Sequence, residues 1–140
     1  MKDGTELYNQ LRQHTGSETI FHHSLVRTFN YTEGVRDFAQ SAGGGAYWLL
    51  DILATEPAIT KLIKEEGFGL VILKVTGSKA VLTVAGDSDI PPVFSREIDL
   101  TDCPEAPVTK SNPEGTWKFY LEPSEVGGKP VIMCMLPQER

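Results

Sequence analysis

The histidines are the first side chains of the sequence that could take part in acid–base or metal chemistry. His22 and His23 are adjacent, and adjacent side chains point to opposite sides of a strand or diverge by about 100° on a helix. The pair is therefore not expected to hold one metal ion. A metal site would have to recruit carboxylates from elsewhere, with Glu18, Asp37 and Asp51 as the candidates. We predict no metal site, and we keep His23 as a candidate general base.

Asp51 is the most informative single residue, because it stands between Leu50 and Ile52 in the most apolar stretch of the chain. A buried carboxylate must be paired or hydrogen-bonded. The sequence favours a structural partner for Asp51, which could be an arginine, a histidine or a helix N-terminus. Two alternatives stay open: Asp51 is an acid of a functional site, or it lies exposed on a narrow polar stripe.

Motifs for nucleophilic or phosphate chemistry are absent from the sequence. It contains no G-x-S-x-G pattern and no cysteine with an ordered histidine. The three glycines at 43–45 could cradle an anion where a helix begins, but no Walker lysine follows them. A helix C-cap with a tight turn is the favoured interpretation. We predict no cofactor and assign no catalytic residue.

Cys103 and Cys134 are the only cysteines of the sequence. They do not form a C-x-x-C pair, and no nearby histidine completes a zinc site. Cys134 lies in an apolar run and is predicted to be packed in a strand, whereas Cys103 precedes Pro104 in a loop. Two thiols and the absence of a hydrophobic signal region near the N-terminus predict a reduced, cytoplasmic protein.

The elements that must position these residues are helical in the first half. One helix is predicted after a capping box at Asp3, and an amphipathic helix after an N-cap at Thr32. A nearly all-apolar helix is predicted over residues 46–54, followed by a helix with Pro57 in its first turn. Residues 17–31 have poor periodicity and are predicted to be irregular or partly extended.

The second half changes to the period of strands. Apolar or alternating segments predict about five strands, at residues 70–75, 80–85, 93–100, 117–122 and 131–136. Gly77 and Ser78 suit a hairpin turn between the first two. The sequence predicts an α+β fold, with N-terminal helices packed on one face of a C-terminal antiparallel sheet. Residues 1–140 form one domain, with a helical half of about 1–67 and a sheet half of about 68–140.

The composition excludes several classes of partner. The 140 residues are 40% apolar and 23% charged, which is typical of a folded domain. Thirteen basic and nineteen acidic residues give a formal charge of −6, which opposes binding to nucleic acid and to anionic membranes. No basic run is interleaved with aromatic residues, and no apolar run is long enough for a transmembrane helix.

Several segments resemble those of a known family. They are Gly16-Ser17-Glu18, His23, Tyr31-Thr32-Glu33-Gly34-Val35, Gly44-Gly45-Ala46-Tyr47-Trp48-Leu49-Leu50-Asp51, the hairpin at 68–84, Ile98-Asp99-Leu100-Thr101-Asp102 and Leu121-Glu122-Pro123-Ser124-Glu125. The run at 44–51 is the most specific of them. The sequence resembles an uncharacterised family of small bacterial proteins that occur on plasmids, phages and integrated elements. The resemblance implies mobile-element biology and supplies no mechanism. The chain departs from the pattern at 127–140, which looks like an added strand, and in a longer loop at 101–114.

Two functions compete as hypotheses, and the first is binding to another protein. The chain would be an accessory protein of a mobile element that binds a host or element-encoded protein, for example to inhibit a host defence complex. Its interface would be the exposed face or edge of the sheet, with Trp117, Tyr120, Met133 and Met135 as candidates, because large aromatic side chains are favoured anchors. Self-association through that edge into a homodimer is an equally simple version.

The second hypothesis is a small enzyme or a small-molecule-binding protein. Its site would lie between the helices and the sheet, with His23, Tyr31, Tyr47 and Asp51 lining a pocket. This hypothesis predicts that the four side chains converge on one closed cavity.

Overall fold

The computed structural model describes residues 1–16 and 19–140. Glu18, a candidate metal ligand, and the Ser17-Glu18 part of the family-like segment lie outside the described residues. Along the described ranges, four α-helices and seven strands precede a short 3-10 helix. In chain order they are α1 (Gly4–Leu11), β1 (Ile20–His22), β2 (Phe29–Thr32), α2 (Glu33–Ser41), α3 (Tyr47–Thr55), α4 (Pro57–Glu66), β3 (Gly69–Thr76), β4 (Lys79–Ala85), β5 (Phe94–Ile98), β6 (Trp117–Val126), β7 (Lys129–Met135) and the 3-10 helix (Pro137–Glu139).

The strands form one mixed sheet in the order β1-β2-β7-β6-β3-β4-β5. Among the described residues, β2 and β7 are the parallel pair, and every other neighbouring pair is antiparallel. The prediction of about five antiparallel strands is therefore corrected. The additional strands, β1 and β2, come from the segment predicted to be irregular. All four residues of β2 are buried, so the alternation that reveals a half-exposed strand is missing.

The position of β7 also differs from the expectation for the tail. β7 lies between β2 and β6, with Asn30 opposite Met133 on one side and Leu121 opposite Cys134 on the other. The strand that looks like an addition in the sequence is therefore interior. The edges of the described sheet are β1 and β5.

Three helix ends lie where local chemistry predicts them. The Asp3 carboxylate accepts a hydrogen bond from the Glu6 backbone N–H at 2.8 Å, which confirms the capping box of α1. Thr32 caps α2 through its hydroxyl and the N–H of Val35. Gly67 ends α4 in the left-handed conformation. No helix among the described residues is long and apolar enough to cross a membrane.

Apolar residues form two clusters on opposite faces of the sheet. The main core joins helix residues such as Phe38 and Leu49 to Leu73 of β3 and Phe119 of β6. The smaller cluster contains Val131, Met133 and Met135 of β7, with Tyr120 packed against it. Because alternate side chains of a strand face opposite sides, these three lie on the side away from Cys134, which belongs to the main core.

The C-terminal residues hold the start of α2. The Glu139 carboxylate accepts hydrogen bonds from the Thr32 hydroxyl at 2.6 Å, from the Gly34 N–H at 3.2 Å and from the Leu136 N–H at 3.0 Å. A carboxylate is favoured at a helix N-terminus, where backbone N–H groups have no partner in the helix. A Cβ on Gly34 would come within 2.5 Å of this carboxylate, so the Glu139 side chain would have to shift if residue 34 were not glycine.

Candidate functional site

His23 and Asp51 form a hydrogen-bonded pair that joins the turn after β1 to α3. Nε2 of His23 lies 2.7 Å from Oδ1 of Asp51. The other ring nitrogen, Nδ1, accepts hydrogen bonds from the backbone N–H groups of Leu25 at 3.1 Å and Val26 at 3.0 Å. Nδ1 therefore carries no proton, and the proton on Nε2 is donated to Asp51.

This arrangement defines what the pair can do chemically. Both ring nitrogens of His23 are engaged, and the side chain is only 6% exposed. The histidine therefore has no lone pair to offer a substrate, as a general base requires. Its effect is to orient Asp51, whose side chain is 67% exposed. Asp51 thus has a structural partner, as the sequence favours, and this partner is a histidine. Asp51 is nevertheless not buried, which agrees with the alternative of an exposed polar position.

Asp51 borders an open groove of about 760 Å³ between α3 and the edge strand β5. The groove is lined by Gly45, Trp48, Asp51, Ile52, Arg96, Ile98, Leu100, Thr101 and Asp102. Trp48, Ile52 and Ile98 are half-buried, and Leu100 is 81% exposed. The groove thus combines apolar side chains with two carboxylates and one guanidinium, and it is open to solvent.

The register of β5 explains which of its side chains enter the groove. Arg96 is opposite Leu82, and Ile98 is opposite Ala80. Directly paired residues of an antiparallel sheet point to the same face. Because Leu82 and Ala80 are buried in the main core, Arg96 and Ile98 point to the side of the sheet on which α3 lies.

The glycine turn before α3 is held by Asp102. The Gly44 N–H donates to Oδ2 of Asp102 at 2.8 Å. Gly43 has φ +58°, and a Cβ there would lie 2.4 Å from the Asp102 carbonyl oxygen. The glycine turn therefore binds a carboxylate of the chain itself, at the position where the sequence suggested that an anion could bind. This contact also connects the segment 44–51 to the segment 98–102.

The two tyrosines predicted for the pocket do not line this groove. Tyr31 is 9% exposed and stacks on Phe21 with ring centroids 5.8 Å apart. Burial raises the pKa of Tyr31, the neighbouring Tyr47 raises it further, and Arg36 opposes the shift. The predicted four-residue pocket therefore divides into the His23–Asp51 pair and a separate aromatic group around Tyr31.

The residues predicted for an interface also divide. Trp117 is 3% exposed, and its indole N–H donates to the Pro104 carbonyl at 2.8 Å. It is a core residue, which corrects its expected place on a surface. Tyr120, Met133 and Met135 lie together on the opposite face of the sheet. The alternation of β6 predicts that Trp117 and Phe119 lie on the same face of the sheet. It does not predict which face the helices cover, and this is why Trp117 could not be assigned to the core from the sequence.

The remaining chemical groups are structural. Both cysteines are buried, and burial raises the pKa of Cys103 to about 12 and raises that of Cys134 as well. The His14 imidazole lies 3.0 Å from Asp37 and connects the segment after α1 to α2. Within the described ranges, no group of three or more histidine, cysteine, aspartate or glutamate side chains could hold a metal ion.

Sequence reasoning missed the groove because its walls are distant in the chain. In the sequence, Trp48 is one more apolar residue of the helix predicted over residues 46–54, and no motif singles out Arg96 or Leu100. A signal was present: the family-like segments 44–51 and 98–102 both border the groove. Neither segment has a periodicity that would reveal the other as its neighbour.

The chain has an α+β fold with one mixed sheet of seven strands in its described part. A groove lies between the edge strand β5 and helix α3. The chain belongs to a family of unknown function (DUF6876), which it matches over residues 5–140. No curated protein and no solved structure shows significant similarity to it.

Proposed function

We propose that this chain is a protein-binding module that docks on another protein through the groove between α3 and β5. The observation that carries the proposal is the groove itself. It is open, it combines exposed apolar with charged side chains, and it lies beside a strand edge. Protein interfaces commonly have such an apolar centre with a polar rim.

Leu100 is the strongest single anchor within the groove. It is a large apolar side chain, 81% exposed, and it stands beside the half-buried Trp48 and Ile98. Burial of apolar surface is the main driving force of association, at about 25 cal/mol per Å². A partner segment that fills the groove would cover both Leu100 and Trp48, and tryptophan is a residue type often found in binding hot spots.

The alternative, a small enzyme at His23 and Asp51, has weaker support. His23 is closed off by its two backbone donors and by Asp51. Tyr31 and Tyr47 lie outside the groove, so a four-residue pocket does not form. An open groove with an oriented but solvent-exposed carboxylate suits recognition better than proton transfer in an enclosed site.

The biological setting that we propose comes from the sequence resemblance. The chain would act in the cytoplasm as an accessory protein of a plasmid or phage. Its partner would be a host or element-encoded protein, and inhibition of a host defence complex is one form of this role. The acidic charge of −6 supports a protein partner over nucleic acid or an anionic membrane.

The proposal is tested by affinity capture from a lysate of the organism that encodes the chain, quantified by mass spectrometry. Tagged wild type, Leu100→Asp and Val126→Asp are compared. Val126 is also an exposed apolar residue, at 42%, but it lies at the end of β6, separated from β5 by β3 and β4. A protein captured by wild type and Val126→Asp and lost with Leu100→Asp supports the proposal. Equal capture by all three overturns it.

A further inference from the structure

We infer that the groove takes an extended segment of the partner protein, which pairs with β5 as an additional strand and places a lysine or arginine on Asp51. This inference rests on the proposed function and specifies the chemistry of the partner at the same site. It follows from three features: the edge of β5, the width left beside α3, and the charges that face the groove.

The first feature is the free edge of β5. β5 pairs with β4 along one side, and within the described part of the chain no strand pairs with its other side. An edge strand presents unpaired N–H and C=O groups that can pair with another chain. Five residues, from Phe94 to Ile98, extend over about 17 Å and can pair with a segment of similar length.

The second feature is the space between β5 and α3. A segment that pairs with β5 lies in the same groove that Trp48, Ile52 and Ile98 line. Alternate side chains of that segment point to the side of α3. A pattern of apolar residues at every second position would therefore cover these three side chains. Strand addition beside a helix is a known mode of peptide recognition, in which backbone hydrogen bonds supply affinity and alternate pockets supply specificity.

The third feature is the charge of the groove. Asp51 is held in place by His23, which donates to Oδ1, yet the carboxylate remains 67% exposed. Asp102 adds a second carboxylate, and the whole chain carries −6. A basic side chain of the partner therefore meets a carboxylate that is already oriented, which lowers the ordering cost of the contact. Arg96 on the opposite wall disfavours a segment that is basic throughout.

A second copy of this chain is a less suitable occupant. Antiparallel self-pairing of β5 that uses all five residues is centred on the middle residue, Arg96. This register places Arg96 directly opposite Arg96 of the other copy, and like charges in that position are destabilising. A segment with a basic residue near Asp51 and no cation opposite Arg96 avoids this repulsion.

The experiment is a selection from a phage library of random linear decapeptides on full-length wild type, Asp51→Lys and Glu125→Lys. Glu125 is an exposed carboxylate on β6, away from the groove, so Glu125→Lys matches the charge change of Asp51→Lys. We expect wild type and Glu125→Lys to enrich peptides with lysine or arginine at one position and apolar residues at alternate positions. Asp51→Lys should enrich aspartate or glutamate at that position instead.

A synthetic peptide from the wild-type selection then tests strand pairing. We expect Asp51→Asn to weaken its binding at least about fivefold, measured by calorimetry. In an added strand, only every second backbone N–H of the peptide points toward β5. N-methylation at these positions should abolish binding, and N-methylation at the positions between them should not. Hydrogen exchange at residues 94–98 should slow when the peptide binds.

Several outcomes would overturn the inference. They are identical selections on wild type and Asp51→Lys, tolerance of N-methylation at every position, protection at residues 131–135 in place of 94–98, absence of any enriched peptide, or a dimer in light scattering whose formation slows hydrogen exchange at residues 94–98. If one of these occurs while Leu100→Asp still loses the captured partner, the groove binds protein in another way and the proposed function stands. If Leu100→Asp retains every partner, the proposed function itself fails.

Discussion

His23 donates a hydrogen bond from Nε2 to Asp51 across 2.7 Å, and the two partners have opposite exposures of 6% and 67%. The buried partner is fixed by the turn that contains it, through the N–H groups of Leu25 and Val26. The exposed partner is fixed by the histidine. The turn therefore fixes the orientation of the surface carboxylate through His23. A carboxylate that is oriented before a partner binds loses less conformational freedom on binding.

The asymmetry of this pair predicts unequal effects of substitution on stability. His23→Ala should lower the free energy of unfolding by about 2–4 kcal/mol, because it leaves a cavity and two backbone donors without an acceptor. Asp51→Ala should lower it by only about 1 kcal/mol, because the carboxylate is largely solvated and a single donor, Nε2–H of His23, loses its acceptor. Urea unfolding measures both values. Equal losses from the two substitutions would contradict this account of the turn.

Gly43 provides a second test, since its backbone and its surroundings both exclude a side chain. Gly43→Ala should destabilise the chain by about 3 kcal/mol or more, because φ is +58° and the new Cβ would meet Asp102. Gly77→Ala is the matched control. Its φ is +62°, yet no atom lies within 4 Å of the new Cβ, so about 1 kcal/mol is expected. Similar melting temperatures for the two variants would show that the steric contact with Asp102 does not lower the stability.

Features set by neighbouring residues could be predicted from the sequence. The cap at Asp3, the cap at Thr32 and the hairpin at Gly77 depend on side chains and backbone within a few residues, and each is present. The five strands predicted for the second half are present too, with shifted ends. Their alternation or apolar runs extend over enough residues to define a period.

Features that depend on distant residues could not be predicted in the same way. The parallel pairing of Phe29 with Ile132 joins segments that are far apart in the chain. β2 also lacks the alternation of apolar and polar residues from which a strand is predicted, because all four of its residues are buried. The exposure of Asp51 could not be decided from the sequence, because a nearly all-apolar helix has no polar face from which its orientation can be read. The groove requires α3 and β5 to lie side by side, although α4, β3 and β4 separate them in the chain.

The contacts of Glu139 predict that a residue near the C-terminus contributes to stability. Glu139→Gln should lower the free energy of unfolding by about 1–2 kcal/mol, because an amide group cannot accept the same three hydrogen bonds at the start of α2. Glu125→Gln, on an exposed part of β6, should change it by less than about 0.5 kcal/mol. Thermal unfolding distinguishes the two. An unchanged melting temperature for Glu139→Gln would show that the tail does not hold α2 in solution.

The buried thiols predict a loss of stability at alkaline pH. Burial raises the pKa of Cys103 to about 12, whereas the pKa of a thiol in the unfolded chain is about 8.5. Below that lower value both states keep the proton, and the stability is fully present. As the pH rises toward 12 the unfolded state loses its proton and the folded state does not, so the free energy of unfolding falls. Each such thiol should lower the free energy of unfolding by at most about 1.3 kcal/mol between pH 8 and pH 9.5.

The measurement is urea unfolding of wild type and Cys103→Ala at pH 7, 8, 9 and 9.5. Cys103→Ala begins from a lower stability because it removes a buried side chain, so the slopes against pH are compared and not the absolute values. The variant should decline less steeply than wild type above pH 8, since it lacks one of the thiols that titrate only on unfolding. Parallel curves would mean that Cys103 ionises in the folded chain, which its burial at 2% exposure opposes.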